Sequence, residues 1–206
     1  MLYKLFYLFA LISIIISCNT GKNQELPILG RHEFVDTPTG TDTIYHTVSS
    51  FRFLNQDSVL IANVDFTDKI YVADFFFTSC PSICPLTTAQ MLRLYDEFKD
   101  DDRVLLVSHT IDPEYDDIKV LSDYANRLDV TSEKWHFLTG NKEEIYQMAQ
   151  TSYYVGVREE ERAPGGFEHS GAFVLVDQQG RIRGMYDGTV PEKVDQLMKD
   201  MNLLLQ

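Results

Sequence analysis

Strand-like and helix-like segments alternate along most of this 206-residue chain, which predicts an α/β fold with helices flanking a mixed sheet. The first supporting observation is a nearly continuous apolar run at 71–77, which is typical of a strand buried on both faces. The second is the helical spacing of apolar residues directly after it, because helices supply the crossovers that parallel strands need. The third is a hairpin pattern at 173–186, whose antiparallel strands make the predicted sheet mixed.

The first half of the predicted domain begins with an N-terminal hairpin. Short apolar strands at 51–54 and 58–62 flank a turn-forming segment at 55–57. After the buried strand, apolar residues recur at helical spacing over 86–98, which predicts an amphipathic helix. A second apolar strand follows at 104–107 and extends the predicted parallel sheet.

The second half begins with another amphipathic helix, at 118–128, for which Asp116 or Asp117 is a suitable N-cap. Asn141 followed by Glu144 resembles a capping box, which predicts a helix at about 141–152. The remaining predicted elements are a strand at 135–138, hairpin strands at 173–176 and 182–186, and a final helix at about 189–205.

The N-terminal segment has the pattern of an export signal. Lys4 precedes an uncharged apolar run at 5–16. As a helix that run would reach about 18 Å, well short of a hydrocarbon core of about 30 Å. The run ends Ile15-Ile16-Ser17-Cys18, which resembles the bacterial lipoprotein signal, where cleavage precedes a cysteine whose thiol receives a lipid. An ordinary signal peptide, or a short anchor with an incidental cysteine, is the alternative.

These features divide the chain into three predicted parts. Residues 1–17 form a lipoprotein-type signal peptide, residues 18–45 a lipidated N terminus and flexible polar tether, and residues 46–206 the folded domain. We therefore expect an exported protein that is anchored to a bacterial membrane by the lipidated Cys18. Export would place the domain where disulfides can persist.

The composition excludes several classes of function. With 31 acidic and 18 basic side chains, the formal net charge is −13. An acidic surface repels phosphate backbones and anionic lipid, so we expect no nucleic-acid partner, and we expect a protein partner to present a basic or neutral face. The hydrophobic fraction of 44%, with 12% aromatic residues, is sufficient for a sizeable core and excludes a disordered chain.

Two of the three cysteines, Cys80 and Cys84, lie four positions apart directly after the predicted buried strand. On a helix or tight loop this spacing puts their Cα atoms about 6 Å apart, which suits either a disulfide or a shared metal site. Pro85 favours a helix start here, where free N–H groups and the helix dipole stabilise a thiolate at Cys84. The carboxyl edge of an open α/β sheet is also the usual place for a functional site. A plain structural disulfide or two buried thiols remain alternatives.

The sequence resembles the Sco/SenC family in five separated elements that occur in order over roughly residues 51–204. The most specific is Phe75-Phe76-Phe77-Thr78-Ser79-Cys80-Pro81-Ser82-Ile83-Cys84-Pro85, which is similar to the family's F-x-F-T-x-C-P-x-x-C-P signature. The others are Thr110-Ile111-Asp112-Pro113-Glu114-Tyr115-Asp116, Leu121 with Tyr124-Ala125, Trp135 with Leu138-Thr139-Gly140, and Glu168-His169-Ser170.

This resemblance implies a thioredoxin-like fold and one bound copper ion, with Cys80, Cys84 and His169 as ligands. It also implies a role in delivering copper to, or preparing, the binuclear copper centre of cytochrome c oxidase. The implied partner is the copper-containing oxidase subunit or another copper-handling protein. Two thiolates and an imidazole suit Cu(I), and they tolerate Cu(II) with an added oxygen ligand. Zinc competes for such ligands, but structural zinc sites normally use four protein ligands.

Several residues near the predicted site have more than one interpretation. Asp112 and Glu168 are candidates for orienting a ligand, although Asp112 could simply belong to a turn. Glu168 and Tyr115 depart from the residues common in the family at those positions. The segment 156–167 is either a solvated loop or a mobile lid that carries His169. For the other histidines we expect solvent exposure at His32 and His46 and a packed, structural role at His109 and His136.

The leading functional hypothesis is a copper-binding assembly protein, a metallochaperone more than an enzyme. The alternative is a thiol–disulfide oxidoreductase acting on exported proteins, for which Cys80 and Cys84 would be the redox-active pair and His169 would be unnecessary. A peroxiredoxin-like peroxidase is disfavoured because no activating arginine lies between Phe53 and Arg93. We assign no catalytic residue.

Overall fold

The structure, a computed structural model, describes residues 25–206. The helices in this range are α1 (Cys84–Phe98), α2 (Ile118–Leu128), α3 (Lys142–Thr151) and α4 (Pro191–Leu204). The strands are β1 (Glu33–Thr37), β2 (Gly40–Ile44), β3 (Arg52–Asn55), β4 (Leu60–Ala62), β5 (Ile70–Phe76), β6 (Val104–Thr110), β7 (Trp135–Thr139), β8 (Val157–Glu159), β9 (Phe167–His169), β10 (Ala172–Val176) and β11 (Ile182–Asp187).

Seven strands form a mixed central sheet in the order β11-β10-β5-β6-β7-β3-β4. The three strands β5, β6 and β7 are parallel, and β10 and β3 run antiparallel on either side of them. β5 and β6 pair from Ile70↔Val104 to Phe76↔Thr110, so they end at the same edge of the sheet. This arrangement confirms the predicted mixed sheet and the N-terminal hairpin, which is β3 with β4.

The core lies on both faces of the inner strands. Every residue of β5 and of β6 is buried, which explains why the sequence of β5 is apolar almost without interruption. The helix α1 contributes Met91, Leu94 and Phe98 to the same core, as their helical spacing predicts. Burying one such large apolar side chain contributes about 1.5–3 kcal/mol to folding.

Two helices, α2 and α3, begin with side-chain caps that the sequence predicts. The Asn141 side chain accepts a hydrogen bond from the Glu144 N–H at 2.9 Å and caps α3. Of the two candidate caps for α2, Asp117 is the one used, since its carboxylate accepts the Val120 N–H at 2.8 Å. This leaves the Asp116 side chain available for a different role.

The described part of the predicted tether has regular structure, which corrects the expectation of a flexible segment up to residue 45. β1 and β2 pair in register from Glu33↔Ile44 to Thr37↔Gly40 and form a two-stranded ribbon. Most of its side chains are exposed on both faces. A ribbon that buries neither face has no alternating apolar pattern, so the hydrophobic periodicity of the sequence does not reveal it.

The residues before this ribbon are attached to the domain. Leu26 is buried, and Leu29 forms a β-bridge with Ile182 of β11. The Arg183 guanidinium donates hydrogen bonds to the carbonyl oxygens of Leu26 and Pro27. The folded domain therefore already includes Leu26, which lies twenty residues before the predicted domain start at residue 46.

A further hairpin contains the predicted histidine ligand. β8 and β9 form a separate two-stranded sheet in which Val157 pairs with His169. Its connection includes a short turn at Pro164–Gly166, where Gly165 and Gly166 both have positive φ. The segment 156–167 thus contains β8 and the connection to β9, and that connection, at 160–166, is a mostly exposed loop as the first alternative expects.

The predicted signal at 1–17 and the predicted lipidation site Cys18 lie outside the described residues. Across residues 25–206, none of the helices combines the length and apolar character required to span a bilayer.

Candidate metal centre

The cysteine loop connects the end of β5 to the start of α1. The Cys80 N–H donates to the Phe77 carbonyl at 3.2 Å, which turns the chain back directly after the strand. Cys84 is the first residue of α1, with Pro85 after it, as the sequence predicts. Both cysteines are buried free thiols, with 8% of Cys80 and 3% of Cys84 exposed.

The hairpin β8–β9 brings His169 to this loop. The His169 Nε2 atom lies 3.4 Å from the Cys84 Sγ atom. The ligand atoms of Cys80, Cys84 and His169 all lie within 4.8 Å of one another. The other ring nitrogen, Nδ1, lies 3.2 Å from the Ser170 carbonyl oxygen, a contact that orients the imidazole. The three predicted ligands are therefore brought together.

Phe77 supports both halves of the site. Its ring centroid lies 5.0 Å from that of Phe167 and 5.8 Å from that of His169, so the hairpin packs on it. At the hairpin tip, a Cβ atom added to Gly165 would lie 2.7 Å from the Phe77 ring and 3.1 Å from Pro81. Only glycine fits so closely over the cysteine loop, and its φ of 80° also favours glycine.

Asp116 holds the loop from the other side. Its carboxylate accepts hydrogen bonds from the Thr78 N–H at 3.0 Å and from the Thr110 hydroxyl at 2.5 Å, and a further one from the Thr78 hydroxyl. Burial raises the pKa of this carboxyl, and the bonds from Thr110 and Thr78 act in the opposite direction. Asp116 thereby ties the start of the cysteine loop to the end of β6.

The two acidic residues that we expect to orient a ligand have other contacts. The Asp112 carbonyl accepts the N–H groups of Tyr115 and Asp116, so the turn interpretation fits it better, and the positioning contact belongs to Asp116. Glu168 forms an ion pair with Arg158 across the hairpin. Because both side chains are more than half exposed, that pair contributes at most about 1 kcal/mol.

Asp74 is a site residue that sequence reasoning missed. It is a buried carboxyl within β5, and its Oδ1 accepts the Ser108 hydroxyl at 2.5 Å. The Trp135 indole N–H donates to the same hydroxyl oxygen at 2.9 Å. Burial raises the pKa of Asp74 to about 6, while the Ser108 bond and the charge of His169 lower it. An acidic residue inside an otherwise apolar strand is the signal that could have identified it.

The two thiols shift each other's pKa in opposite directions. The hydrogen bond from Cys84 lowers the pKa of the Cys80 thiol to about 3, with smaller contributions in the same direction from His169 and from backbone N–H groups. The same bond raises the pKa of the Cys84 thiol, as does its burial. The pair therefore loses its first proton readily and its second with difficulty. Beside them, an imidazole completes a soft S₂N donor set.

The other histidines are not part of this group. His109 is fully buried beneath the sheet edge, where its ring stacks on Phe75 at 5.1 Å, and burial lowers its pKa to about 3. His136 is buried as well, so both fulfil the packed role that we expect. His32 and His46 are half-buried rather than fully exposed. Their Nε2 atoms lie near the carbonyl oxygens of Ile28 and Ser152, respectively.

Within residues 25–206, the only group of three His, Cys, Asp or Glu side chains close enough to share a metal ion is this one. Three protein ligands are fewer than a structural zinc site normally uses, whereas soft thiolate ligands favour Cu(I). The geometry thus fits a thiolate–imidazole site for a soft metal, formed at the carboxyl edge of β5.

Known proteins are similar to this chain in architecture and in sequence. The SCO1/SenC family profile matches residues 39–206. A relative in Bacillus subtilis, named SCO1 protein homolog, is 31% identical over 162 residues, which cover 78% of this chain and 83% of the relative.

Two solved structures support the same assignment. The crystal structure of a SCO1/SenC family lipoprotein from Bacillus anthracis superposes with a TM-score of 0.72 at 29% identity, covering 78% of this chain and 96% of that one. The structure of BsSco, described as a member of the Sco family of cytochrome c oxidase assembly proteins, gives a TM-score of 0.68 at 29% identity, with coverages of 77% and 93%.

Proposed function

Because this chain belongs to the SCO1/SenC family, we propose that it binds one copper ion through Cys80, Cys84 and His169 and assists assembly of the binuclear copper centre of cytochrome c oxidase. The observation that carries the proposal is the convergence of three ligand atoms within 4.8 Å from two elements that are distant in sequence. A relative of the same family, BsSco, is described as a cytochrome c oxidase assembly protein.

The chemistry of the donor atoms supports copper. Thiolates and imidazole are soft ligands with high affinity for copper ions. The low pKa of Cys80 means that one thiolate is already formed near neutral pH, and the second proton leaves on metal binding. Phe77 and Asp116 fix the cysteine loop, and Ser170 orients the imidazole, so the chain supplies an organised first coordination sphere.

The location of the protein forms part of the proposal. The apolar run at 5–16 followed by Cys18 supports export and attachment to a bacterial membrane through a lipid on that cysteine. A similar protein from Bacillus anthracis is described as a lipoprotein. The acceptor of the copper would be the copper-containing oxidase subunit or another copper-handling protein on the same side of the membrane.

Metal analysis tests the copper proposal. The full-length chain is dialysed against copper and then against buffer, and we expect about one copper per chain. His169→Ala and the double variant Cys80→Ala/Cys84→Ala should lose the metal. His32→Ala is the matched control, because this half-buried histidine lies outside the ligand group. Unchanged copper content in the double cysteine variant would contradict the proposal.

The same variants separate copper handling from thiol–disulfide exchange. A dithiol exchanger needs both sulfurs but not the imidazole. We therefore expect His169→Ala to abolish support of oxidase assembly in cells as completely as the cysteine variant does. If cells with His169→Ala kept full oxidase activity while cells with the cysteine variant lost it, the copper proposal would be rejected in favour of thiol–disulfide exchange.

A further inference from the structure

The ligands are too deeply placed for a partner to take the metal from a distance. Both cysteines are nearly buried, and the imidazole lies against them. Copper that passes directly between two proteins must be bonded to ligands of both for a moment, so donor atoms of both proteins must come within bonding distance of one ion. An acceptor must therefore press its surface against the residues that surround the site.

The centre of that surrounding surface is uncharged and partly apolar. The sequence contains no charged residue between Asp74 and Arg93, a stretch that includes the whole cysteine loop. Two large apolar side chains are exposed here: Leu86, in the first turn of α1, by 55%, and Tyr115, in the turn before α2, by 58%. An exposed apolar patch beside a functional site is characteristic of a contact surface.

Leu86 and Tyr115 lie at the same edge of the sheet. β5 and β6 end side by side, and the Ile111 N–H donates to the Phe76 carbonyl at that edge. The turn with Tyr115 is joined to the cysteine loop through the Thr78–Asp116 hydrogen bond. The helices that follow the two strands are in contact, since the Thr88 hydroxyl near the start of α1 lies 2.8 Å from the hydroxyl of Tyr124 in the second half of α2.

Two acidic segments lie beside this apolar centre, and they adjoin each other at Lys142, which contacts both Glu114 and Glu159. The segment 112–117 contains four carboxylic acids and no basic residue, and Glu114 and Asp117 are exposed. The hairpin contributes Glu159 and Glu161, also exposed. Among the nearby basic side chains, Lys142 pairs with Glu159 and Glu114, and Arg158 pairs with Glu168, whereas Arg162 is exposed and forms no ion pair within residues 25–206.

We propose that Leu86 and Tyr115, with the acidic flank at 112–117, form the docking surface for a protein acceptor whose own copper site lies in an apolar patch surrounded by lysine and arginine side chains. Opposite charges steer such an acceptor to the site and raise its association rate. A second copy of this chain does not fit, because it would bring like-charged flanks together. This inference rests on the proposed function and identifies the partner's chemistry.

The test compares surface variants that leave the ligands intact. The acceptor is the soluble copper-binding domain of the copper-containing oxidase subunit, mixed with the copper-loaded full-length chain. We expect Leu86→Ala/Tyr115→Ala and Glu114→Gln/Asp117→Asn each to slow copper transfer about threefold to tenfold at low salt. The charge variant should also show a weaker dependence of the rate on salt. Glu97→Gln/Asp100→Asn, two exposed acids at the far end of α1, is the matched control.

A second arm does not depend on copper. Calorimetric titration of the metal-free chain with the metal-free acceptor should show a Kd at least threefold weaker for both surface variants than for the control. Equal transfer rates and equal Kd values in all variants would overturn the docking surface while leaving copper binding intact. Failure of the unaltered chain to bind copper, with normal docking in calorimetry, would overturn the proposed function instead.

Discussion

The ring of Phe77 lies 5.0 Å from the ring of Phe167, and this contact joins the strand that leads to the cysteines to the hairpin that carries the histidine. The same Phe77 accepts the Cys80 N–H through its carbonyl and packs beside His169. The distance between the sulfur and imidazole ligands therefore depends on how the hairpin rests on this one aromatic residue.

The first prediction concerns the tip of the hairpin. In Gly165→Ala the new methyl group would lie 2.7 Å from the Phe77 ring, so the hairpin and His169 must move away from the cysteines. We expect copper affinity to fall about tenfold or more, as when a ligand loses its supporting contacts. Competition with a copper chelator measures the affinity, and X-ray absorption reports the loss of nitrogen ligation.

Gly166→Ala is the control for this variant. Its φ of 85° imposes similar backbone strain, but an added Cβ atom meets nothing within 4 Å. Equal losses of copper affinity in the two variants would show that backbone strain, and not the contact with Phe77, is responsible.

The second prediction concerns Asp116. The change Asp116→Asn removes a negatively charged acceptor that receives hydrogen bonds from Thr78 and Thr110 in a buried setting. We expect the free energy of unfolding to fall by about 2 kcal/mol, because hydrogen bonds to charged groups contribute about 1.5–3 kcal/mol. Urea denaturation measures it. Asp112→Asn should change the free energy of unfolding by less than about 0.5 kcal/mol. If Asp112→Asn destabilised the protein as much as Asp116→Asn or more, Asp112 rather than Asp116 would be the residue that supports the cysteine loop.

The third prediction follows from the raised pKa of Asp74. The folded state has a pKa of about 6 for this group, above the ordinary value of 3.8, so the folded chain holds the proton between about pH 4 and pH 6. Its contribution to the free energy of unfolding is fully present below pH 4. Between pH 4 and pH 6 this contribution falls by about 1.4 kcal/mol per pH unit, and it is lost above pH 6. Asp74→Asn should lack this loss and be more stable than the unaltered chain at pH 7.

Denaturation at several pH values, followed by the fluorescence of Trp135, measures this difference. Trp135 is the single tryptophan of the chain and belongs to the same hydrogen-bond network through Ser108. A stability difference between the two proteins that stays constant from pH 4 to pH 7 would exclude a titrating Asp74.

The fourth prediction concerns His109, whose ring nitrogens have no hydrogen-bond partner in the described part of the chain. Burial lowers the pKa of this histidine to about 3, below the ordinary 6.5, so only the unfolded chain binds the proton between those values. Stability therefore falls as the pH drops below 6.5. His109→Phe removes this loss and should be about 2 kcal/mol more stable than the unaltered chain at pH 5, with a smaller gain at pH 8. A gain that is the same at both pH values would contradict the assignment.

The fold could be predicted from sequence wherever local patterns encode it. The apolar run of β5, the spacing of Met91, Leu94 and Phe98, and the cap at Asn141 are each visible within a few residues. The ribbon β1–β2 escaped prediction because it is exposed on both faces and carries no apolar period. The boundary at 46 was wrong for a related reason, since Leu26 and Leu29 are held by partners far along the chain.

Local sequence patterns are sufficient to predict the order of strands and helices, the spacing of Cys80 and Cys84 and the helix start at Cys84, because these depend on neighbouring residues and on Pro85. A family resemblance was needed to add His169, which lies 85 positions from Cys84. The folded arrangement was needed to show that Asp116 rather than Asp112 supports the loop, that Asp74 lies in a buried network, and that Gly165 packs against Phe77. Such contacts depend on the register of the strands and on the path of the connections between elements, and neither can be predicted from a local pattern of residues.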